Sequence, residues 1–248
     1  MTRAGWQLSD AFDRAAPTYD AMVALSPGYH EQLRTAAEAL VARVPDPVER
    51  EGEAVVLDLG CGSGASTRAL LDAWPAGRGA NDTLRVHGVD ASPGMVAEAR
   101  VKPWPDGVAF TVSDAVGHLE GLPDASVDGV LAAYLLRNVP DRDRLVAEVA
   151  RVLRPGAPFV VHDYSVAGSA RARARWAAVC HGVIIPLAVV KRSDVPLHRY
   201  LYTSVRDFDS VDDVCRRLQA VGLTDVRHRS YPGWQEGMVH TVAGVRAP

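Results

Sequence analysis

The sequence has few cysteines, no long apolar run and little net charge. Its three cysteines, Cys61, Cys180 and Cys215, are scattered without CxxC spacing, which argues against a zinc site or disulfide framework and fits a reducing cytosol. The longest apolar run, residues 183–190, is too short to span a bilayer, and the first residues contain no signal-peptide core. A net charge of −3 provides no basic surface for nucleic acid. We therefore expect a cytoplasmic protein with no metal, no transmembrane segment and no nucleic-acid partner.

The length and composition are those of one α/β domain. A chain of 248 residues can bury roughly 70–75% of its unfolded surface, so it needs neither a disulfide nor a metal to fold. Apolar residues make up 48% and charged residues 23%, which is ordinary for a globular protein. We predict a single domain over residues 1–248, in which residues 1–45 form an N-terminal helical cap.

Short buried strands alternate with helices through the first two thirds of the chain. The apolar pattern predicts strands at 54–59, 84–89, 108–112, 127–133 and 159–162, with helices at 28–44, 65–74 and 141–153. Another helix should begin with Ser92 as its N-cap and Pro93 at its first position. This order is typical of a parallel sheet with helices on both faces.

The last third of the chain departs from this alternation. Residues 168–192 have a helical, apolar pattern, residues 210–220 form a helix, and two strands at 226–231 and 238–245 flank a Pro-Gly turn. The two strands predict an antiparallel pair at one edge of the sheet. Because open α/β sheets bind ligands at the carboxyl ends of their strands, we expect residues 168–205 to form a substrate lid there.

A glycine loop joins the first strand to the next helix. Gly60, Gly62 and Gly64 allow the backbone to turn sharply and to approach a ligand closely, and the helix that follows presents free N–H groups. Gly60, Gly62 and Ala65 also satisfy the loose pattern of dinucleotide sites. The glycines alone therefore leave a nicotinamide-dependent oxidoreductase open.

Three acids near the strand ends favour a different ligand. Asp58, just before the loop, would repel a pyrophosphate and attract an ammonium group. Asp90 is placed to accept hydrogen bonds from ribose hydroxyls, although it follows the loop by about thirty residues rather than the roughly twenty of dinucleotide sites. We attribute the extra length to an insertion at residues 76–79. Asp114 could accept a hydrogen bond from the adenine amino group. Because S-adenosylmethionine has a cationic amino group, a sulfonium and no phosphate, it fits these acids.

Over residues 50–165 the sequence resembles the class I S-adenosylmethionine-dependent methyltransferases, which have a Rossmann-like, mostly parallel sheet. The resemblance implies that the glycine loop contacts the methionine part, that Asp90 binds ribose and that Asp114 lies by adenine, with Asp58 holding the amino group through water. S-adenosylhomocysteine is the implied product. The remaining expected cofactor contacts are Tyr19, Cys61, Ala91, Met95, Ala115 and Ala133.

Three further segments resemble the ubiquinone/menaquinone-biosynthesis C-methyltransferases: residues 12–20, residues 136–139 and residues 199–205. The stretch 135–155 matches best. The sequence departs from that family at Tyr134-Leu135, where the family has Phe-Gly, and at Asp163, where it has a glutamate-like position. The resemblance implies C-methylation of a quinol. The departures leave open another phenol, a polyketide or a lipid-like acceptor, and O- or N-methylation in secondary metabolism is the alternative.

Methylation of a phenol or quinol needs an electron-rich nucleophile. Ionising a group with a pKa near 10 at pH 7 costs about 4 kcal/mol. Arg137 is the first candidate for stabilising a developing phenolate, because its guanidinium stays protonated. Its alternative role is a structural pair with an acid such as Asp141. Tyr19 could hydrogen-bond the acceptor, and His162 and His181 are the candidate bases, since histidine titrates near neutral pH.

These expectations define an enzyme with a small aromatic or hydrophobic acceptor. A protein that keeps the fold and binds the cofactor without catalysis is the alternative outside the enzymes. Peripheral contact with a membrane through the apolar run, and a homodimer, are both compatible with the sequence.

Overall fold

The computed structural model describes residues 3–24, 26, 28–45, 53–74, 83–190 and 195–248, without the side chains of residues 3–7 and 22. The predicted insertion at residues 76–79 lies outside these ranges.

A seven-stranded mixed sheet forms the centre of the fold, in the order β3-β2-β1-β4-β5-β7-β6. The first five strands run parallel, and β7 pairs antiparallel with both β5 and β6. The carboxyl ends of the parallel strands therefore meet at one edge, on either side of β1 and β4. The strands are β1 Glu53–Leu59, β2 Thr83–Asp90, β3 Val108–Val112, β4 Gly129–Ala133, β5 Pro158–Tyr164, β6 Leu223–Ser230 and β7 Val239–Arg246.

Helices cover both faces of the sheet, and a hydrophobic core lies between each face and its helices. The central strands are apolar on both faces, as expected for strands buried in a parallel sheet. The helices are α1 Arg3–Val23, α2 Tyr29–Val41, α3 Ala65–Ala73, α4 Pro93–Arg100, α5 Ala115–Glu120, α6 Arg142–Val152, α7 Ala170–Val179, α8 Ile185–Val190, α9 Val195–Arg206 and α10 Val211–Ala220.

The predicted α/β class and the antiparallel edge are confirmed. Ser92 caps α4 as predicted, since its hydroxyl accepts a hydrogen bond from the Met95 amide at 3.1 Å. The fourth strand is shorter than predicted, because Val127 forms only an isolated bridge with Leu153. Helix α5 was not predicted; it is one and a half turns long and begins at its N-cap, Asp114.

The segment predicted to be a lid is helical where the structure describes it. A π-helical turn, Cys180–Ile184, joins α7 to α8, so residues 170–190 form one continuous rod. By length and composition alone, this is the one helix in the described ranges that could cross a membrane. Helix α9 reaches the cavity described below, because the Tyr200 hydroxyl donates to Oδ1 of Asn138 at 3.0 Å.

Candidate active site

The loop after β1 turns through left-handed backbone at each of its glycines. Gly60, Gly62 and Gly64 have φ values of 71°, 52° and 94°, a region that other residues rarely adopt. A Cβ on Gly60 would also come within 3.0 Å of the Leu135 side chain. The amide of Gly60 donates to the Val89 carbonyl at 2.7 Å, which fixes the loop against the end of β2.

Asp58 lies beneath this loop and is fully buried. Its Oδ2 accepts hydrogen bonds from Ser66 at 2.8 Å and Thr67 at 2.6 Å, both in the first turn of α3. Its Oδ1 is buried without a hydrogen-bond partner in the described chain. Burial raises the pKa of Asp58 to about 6. An ammonium group at the loop, directly or through water, would supply the missing donor and favour the ionised carboxylate.

Asp90 joins the end of β2 to the glycine loop. Its Oδ2 accepts a hydrogen bond from the Gly62 amide and its Oδ1 from the Ser92 amide, each at 2.9 Å. Burial raises the pKa of Asp90, while these amide bonds oppose the rise. Each carboxylate oxygen has a second lone pair, and Asp90 lines the cavity at this edge. These acceptors suit ribose hydroxyls.

Asp114 has a local structural function as well as a place at the cavity. Its Oδ1 accepts a hydrogen bond from the Gly117 amide at 2.9 Å and so caps α5. It also lines the cavity, beyond the end of β3. The cap uses Oδ1, so Oδ2 can still accept a hydrogen bond, and a second role toward adenine is compatible with the geometry.

The cavity at the carboxyl edge has a volume of about 570 Å³, within the usual range for small-molecule sites. Most of the predicted site residues line it: Tyr19, Gly60, Cys61, Gly62, Asp90, Ala91, Met95, Asp114, Ala115, Ala133 and Arg137. Asp58 and Gly64 do not line it, although both belong to the loop region beneath it.

Helix α1 closes one side of this cavity. Phe12 and Tyr19 contact each other edge to face, with ring centroids 6.2 Å apart, and both line the cavity. The Ser9 hydroxyl donates to the Ala91 carbonyl at 2.9 Å and so attaches α1 to the segment after β2. Sequence reasoning missed Phe12 as a lining residue. Its position about two helical turns before Tyr19, on the same face of the helix, was the available signal.

Arg137 lies in a short 3-10 turn, Leu136–Asn138, after β4. Its guanidinium forms an ion pair with Asp163 of β5, and the two side chains are only 8% and 3% exposed. Nη1 also donates to the Tyr134 carbonyl at 2.9 Å, and the Asp163 carboxylate accepts the Arg137 amide at 3.2 Å. Nε is buried with no partner in the described chain. Burial raises the pKa of Asp163, and the charge of Arg137 opposes that rise.

The pairing suggested for Arg137 with Asp141 is wrong. Asp141 instead caps α6, where its side chain accepts a hydrogen bond from the Arg144 amide at 3.0 Å. The partner is Asp163 because β4 and β5 are adjacent and Ala133 is in register with His162. Arg137, four residues after Ala133, and Asp163, which follows His162, are thereby brought into contact.

Tyrosines surround the guanidinium. Tyr29 and Tyr134 stack with centroids 5.5 Å apart, Tyr134 and Tyr164 lie 5.3 Å apart, and the guanidinium carbon of Arg137 is 5.7 Å from the Tyr134 ring. Burial raises the pKa of Tyr19, Tyr29 and Tyr134, and that of Tyr164 to about 12. These phenols therefore stay neutral at pH 7 and can donate hydrogen bonds. Tyr29 and Tyr134 were not predicted as site residues.

Neither predicted histidine lines the cavity. His162 is fully buried behind Tyr134: its Nε2 lies 3.1 Å from the Tyr134 hydroxyl and its Nδ1 lies 2.9 Å from Oγ1 of Thr241. Burial lowers the pKa of His162 to about 3, so the ring is neutral at pH 7 and a poor proton acceptor. His181 is exposed on the α7–α8 rod, with its ring 4.6 Å from that of Tyr202.

The fold and this cavity define a class I S-adenosylmethionine-dependent methyltransferase. Consistent with this, a methyltransferase domain model matches residues 57–161. A demethylmenaquinone methyltransferase of Beutenbergia cavernae is 34% identical over 226 residues, which cover 90% of this chain and 85% of that protein. A ubiquinone/menaquinone biosynthesis C-methyltransferase of Syntrophotalea carbinolica is 30% identical over 254 residues, covering 99% and 96%. The chain belongs to the family of ubiquinone/menaquinone-biosynthesis C-methyltransferases.

Solved structures support the fold. A SAM-dependent methyltransferase from Thermotoga maritima superimposes with a TM-score of 0.61 at 16% identity, covering 96% of this chain and 99% of the other. A phosphoethanolamine N-methyltransferase of Haemonchus contortus, solved with S-adenosyl-L-methionine, gives a TM-score of 0.58 at 18% identity, covering 86% and 52%. The methyltransferase domain and the family membership identify S-adenosylmethionine as the methyl donor, and the oxidoreductase alternative is wrong.

Proposed function

We propose that the enzyme methylates a ring carbon of a quinol or phenol-like acceptor. The names of the relatives support a quinone-type acceptor. The single observation that supports it most is the buried pair of Arg137 and Asp163 in a cavity walled by tyrosines. A fixed cation among aromatic rings suits an acceptor that is aromatic and becomes anionic as it reacts.

The geometry of the glycine loop and its neighbouring acids supports our assignments in the donor half of the site. We assign the glycine loop to the methionine part, Asp90 to ribose, Asp114 to adenine and Asp58 to the amino group. When bound, S-adenosylmethionine supplies a methyl group that its sulfonium has already activated. On the donor side, the protein's remaining contribution is alignment of the methyl group with the acceptor, which can lower the barrier by about 7–11 kcal/mol.

Arg137 is assigned to the acceptor oxygen. Ionising a phenol with a pKa near 10 at pH 7 costs about 4 kcal/mol, and a guanidinium beside the oxygen offsets part of that cost. Arg137 cannot take the proton itself, because it stays protonated. When the ring carbon accepts the methyl group, the methyl–sulfur bond breaks and S-adenosylhomocysteine leaves, and the ring carbon then loses its hydrogen as a proton. Among the described lining residues there is no histidine, so we assign this proton to a water at the cavity mouth. In this assignment Asp163 holds Arg137 in position, the guanidinium stabilises the negative charge that develops on the acceptor oxygen, and Tyr19 orients the acceptor.

Oxygen methylation is the second candidate, because a phenolate stabilised by Arg137 is itself a nucleophile at oxygen. The test is turnover with methyl-labelled donor on a reduced naphthoquinone that lacks its ring methyl, with a simple catechol as comparison. Nuclear magnetic resonance of the product distinguishes a carbon-bound from an oxygen-bound label. We expect ring-carbon labelling of the naphthoquinol. Labelling of oxygen alone would replace the proposal with the second candidate, and labelling of neither compound would refute both.

A further inference from the structure

The far half of the α7–α8 rod exposes apolar side chains. Val183, Leu187, Val189 and Val190, which we call the apolar tip, are 58%, 43%, 57% and 78% exposed. Single exposed apolar residues are ordinary on protein surfaces, but four within eight positions of one helix form a local patch. Such a patch predicts a partner that removes it from water.

The near half of the same rod is anchored to the domain. Ala172, Trp176 and Cys180 are buried in a cluster with Val205 and Met238. The indole of Trp176 also donates to the Tyr202 carbonyl at 3.3 Å. A rod packed in this way would have to leave the domain to cross a membrane. The rod can instead lie along a membrane surface, where the apolar tip is the part that can insert into the lipid.

The charged residues near the rod indicate which kind of surface it would bind. Residues 168–207 contain seven basic residues and two acidic residues, Asp194 and Asp207, in a chain whose net charge is −3; Asp207 is ion-paired with Arg206 at 2.7 Å. Lys191 and Arg192 follow the apolar tip directly in the sequence. The basic residues are Arg171, Arg173, Arg175, Lys191, Arg192, Arg199 and Arg206. Basic residues near an anionic lipid surface contribute about 1 kcal/mol each.

We propose that the apolar tip inserts into an anionic lipid surface while the exposed basic residues Arg171, Arg173 and Arg199 contact its headgroups. A second copy of the chain fits less well, because a symmetric pairing of this segment would place its basic residues against one another. Since α9 contacts the cavity wall through Tyr200 and Asn138, the bound surface lies beside the cavity. The proposal concerns binding alone and does not depend on the identity of the acceptor.

The test is co-sedimentation of the full chain with vesicles. Phosphatidylcholine vesicles containing phosphatidylglycerol are compared with vesicles of phosphatidylcholine alone. We expect binding to the anionic vesicles, weakened when salt rises from about 0.1 M to about 0.5 M. The triple variant Val183→Ser, Leu187→Ser, Val190→Ser should bind about tenfold more weakly or worse, because three apolar side chains no longer leave water.

The matched control replaces exposed apolar residues at the opposite edge of the sheet. Val101 and Val112 are 78% and 41% exposed, and Val101→Ser with Val112→Ser should leave vesicle binding within about twofold of the original chain. Thermal unfolding confirms that both variants remain folded. The proposal is overturned if the original chain ignores anionic vesicles, or if the triple variant binds them equally well. It is also overturned if sedimentation shows a dimer that the triple variant abolishes, which would identify a second copy as the partner.

Discussion

We assign one half of the cavity, around Asp90 and Asp114, to the cofactor and the other, around Arg137, to the acceptor. The two halves hold their polar groups by different kinds of contact. In the cofactor half, Asp90 and Asp114 accept hydrogen bonds from backbone amides of the glycine loop and of the next helix. In the acceptor half, Arg137 depends on the side chain of Asp163, which lies 26 residues later in β5. The first half therefore relies mainly on main-chain amides, apart from the side-chain hydroxyls that bind Asp58. The second depends on a pair of side chains, which main-chain hydrogen bonds supplement.

This difference affects how each half tolerates change. A carboxylate that binds amides keeps its geometry when neighbouring side chains vary, because every residue except proline supplies the same amide. A buried ion pair fails when either partner is lost, since the remaining charge stays buried and costs roughly 3–5 kcal/mol. The acceptor half is thus the half in which a few substitutions change function while the cofactor half persists.

The comparison is tested most strongly at Arg137. We expect Arg137→Ala to lower turnover about 10²–10³-fold while affinity for S-adenosylhomocysteine changes little, because the guanidinium acts on the acceptor side. Arg137→Lys should recover only part of the loss, since a point charge does not reproduce the planar fork. Turnover with labelled donor and calorimetry of the product provide the two measurements.

The control for this prediction is Arg154→Ala. Arg154 is also paired with a buried acid, Asp128, at 3.0 Å, but it follows α6 at the other end of the sheet and does not line the cavity. Its loss should leave turnover close to that of the original enzyme. If Arg137→Ala keeps full turnover, or if it loses cofactor affinity to the same extent as turnover, the two halves are not separable as described.

In the cofactor half, we expect Asp90→Ala to weaken S-adenosylhomocysteine binding by roughly 1.5–3 kcal/mol, the value of a hydrogen bond to a charged group. Asp128→Ala is the matched control, because Asp128 is also a buried acid that accepts a backbone amide, from Val55 at 2.8 Å, but it does not line the cavity. Calorimetry should show the loss only for Asp90→Ala. Equal affinities in the two variants would remove Asp90 from the ribose assignment.

The smallest expected effect concerns Asp58 and pH. The pKa of Asp58 is raised to about 6, and the ionised form is the one that attracts an ammonium group. Affinity should therefore be nearly complete above about pH 7 and should fall about tenfold between about pH 7 and about pH 5, as the carboxyl becomes protonated. The amino group of the ligand stays charged over this range. Asp58→Asn should bind more weakly with no such pH dependence, and a profile identical to that of the original chain would contradict the assignment.

Local pattern was sufficient to predict the parallel strands, the glycine loop and the Ser92 cap, because each depends on residues adjacent in sequence. The pairing of Arg137 with Asp163 was not predictable in this way, since it follows from which strands are neighbours in the sheet. The same limit applies to His162. In a strand covered on both faces, alternate residues are buried on either side, so position in the strand did not reveal that His162 faces Thr241 rather than the cavity.

The position of β7 has a consequence for synthesis of the chain on the ribosome. One edge of β5 pairs with β4, but its other edge pairs only with residues 239–246, which are translated about 75 residues after β5 itself. Until those residues emerge, the apolar segment 158–164 has a row of unpaired backbone groups, the kind of edge that promotes aggregation. The acceptor half therefore matures last in the nascent chain, and Thr241 reaches His162 only as that edge closes.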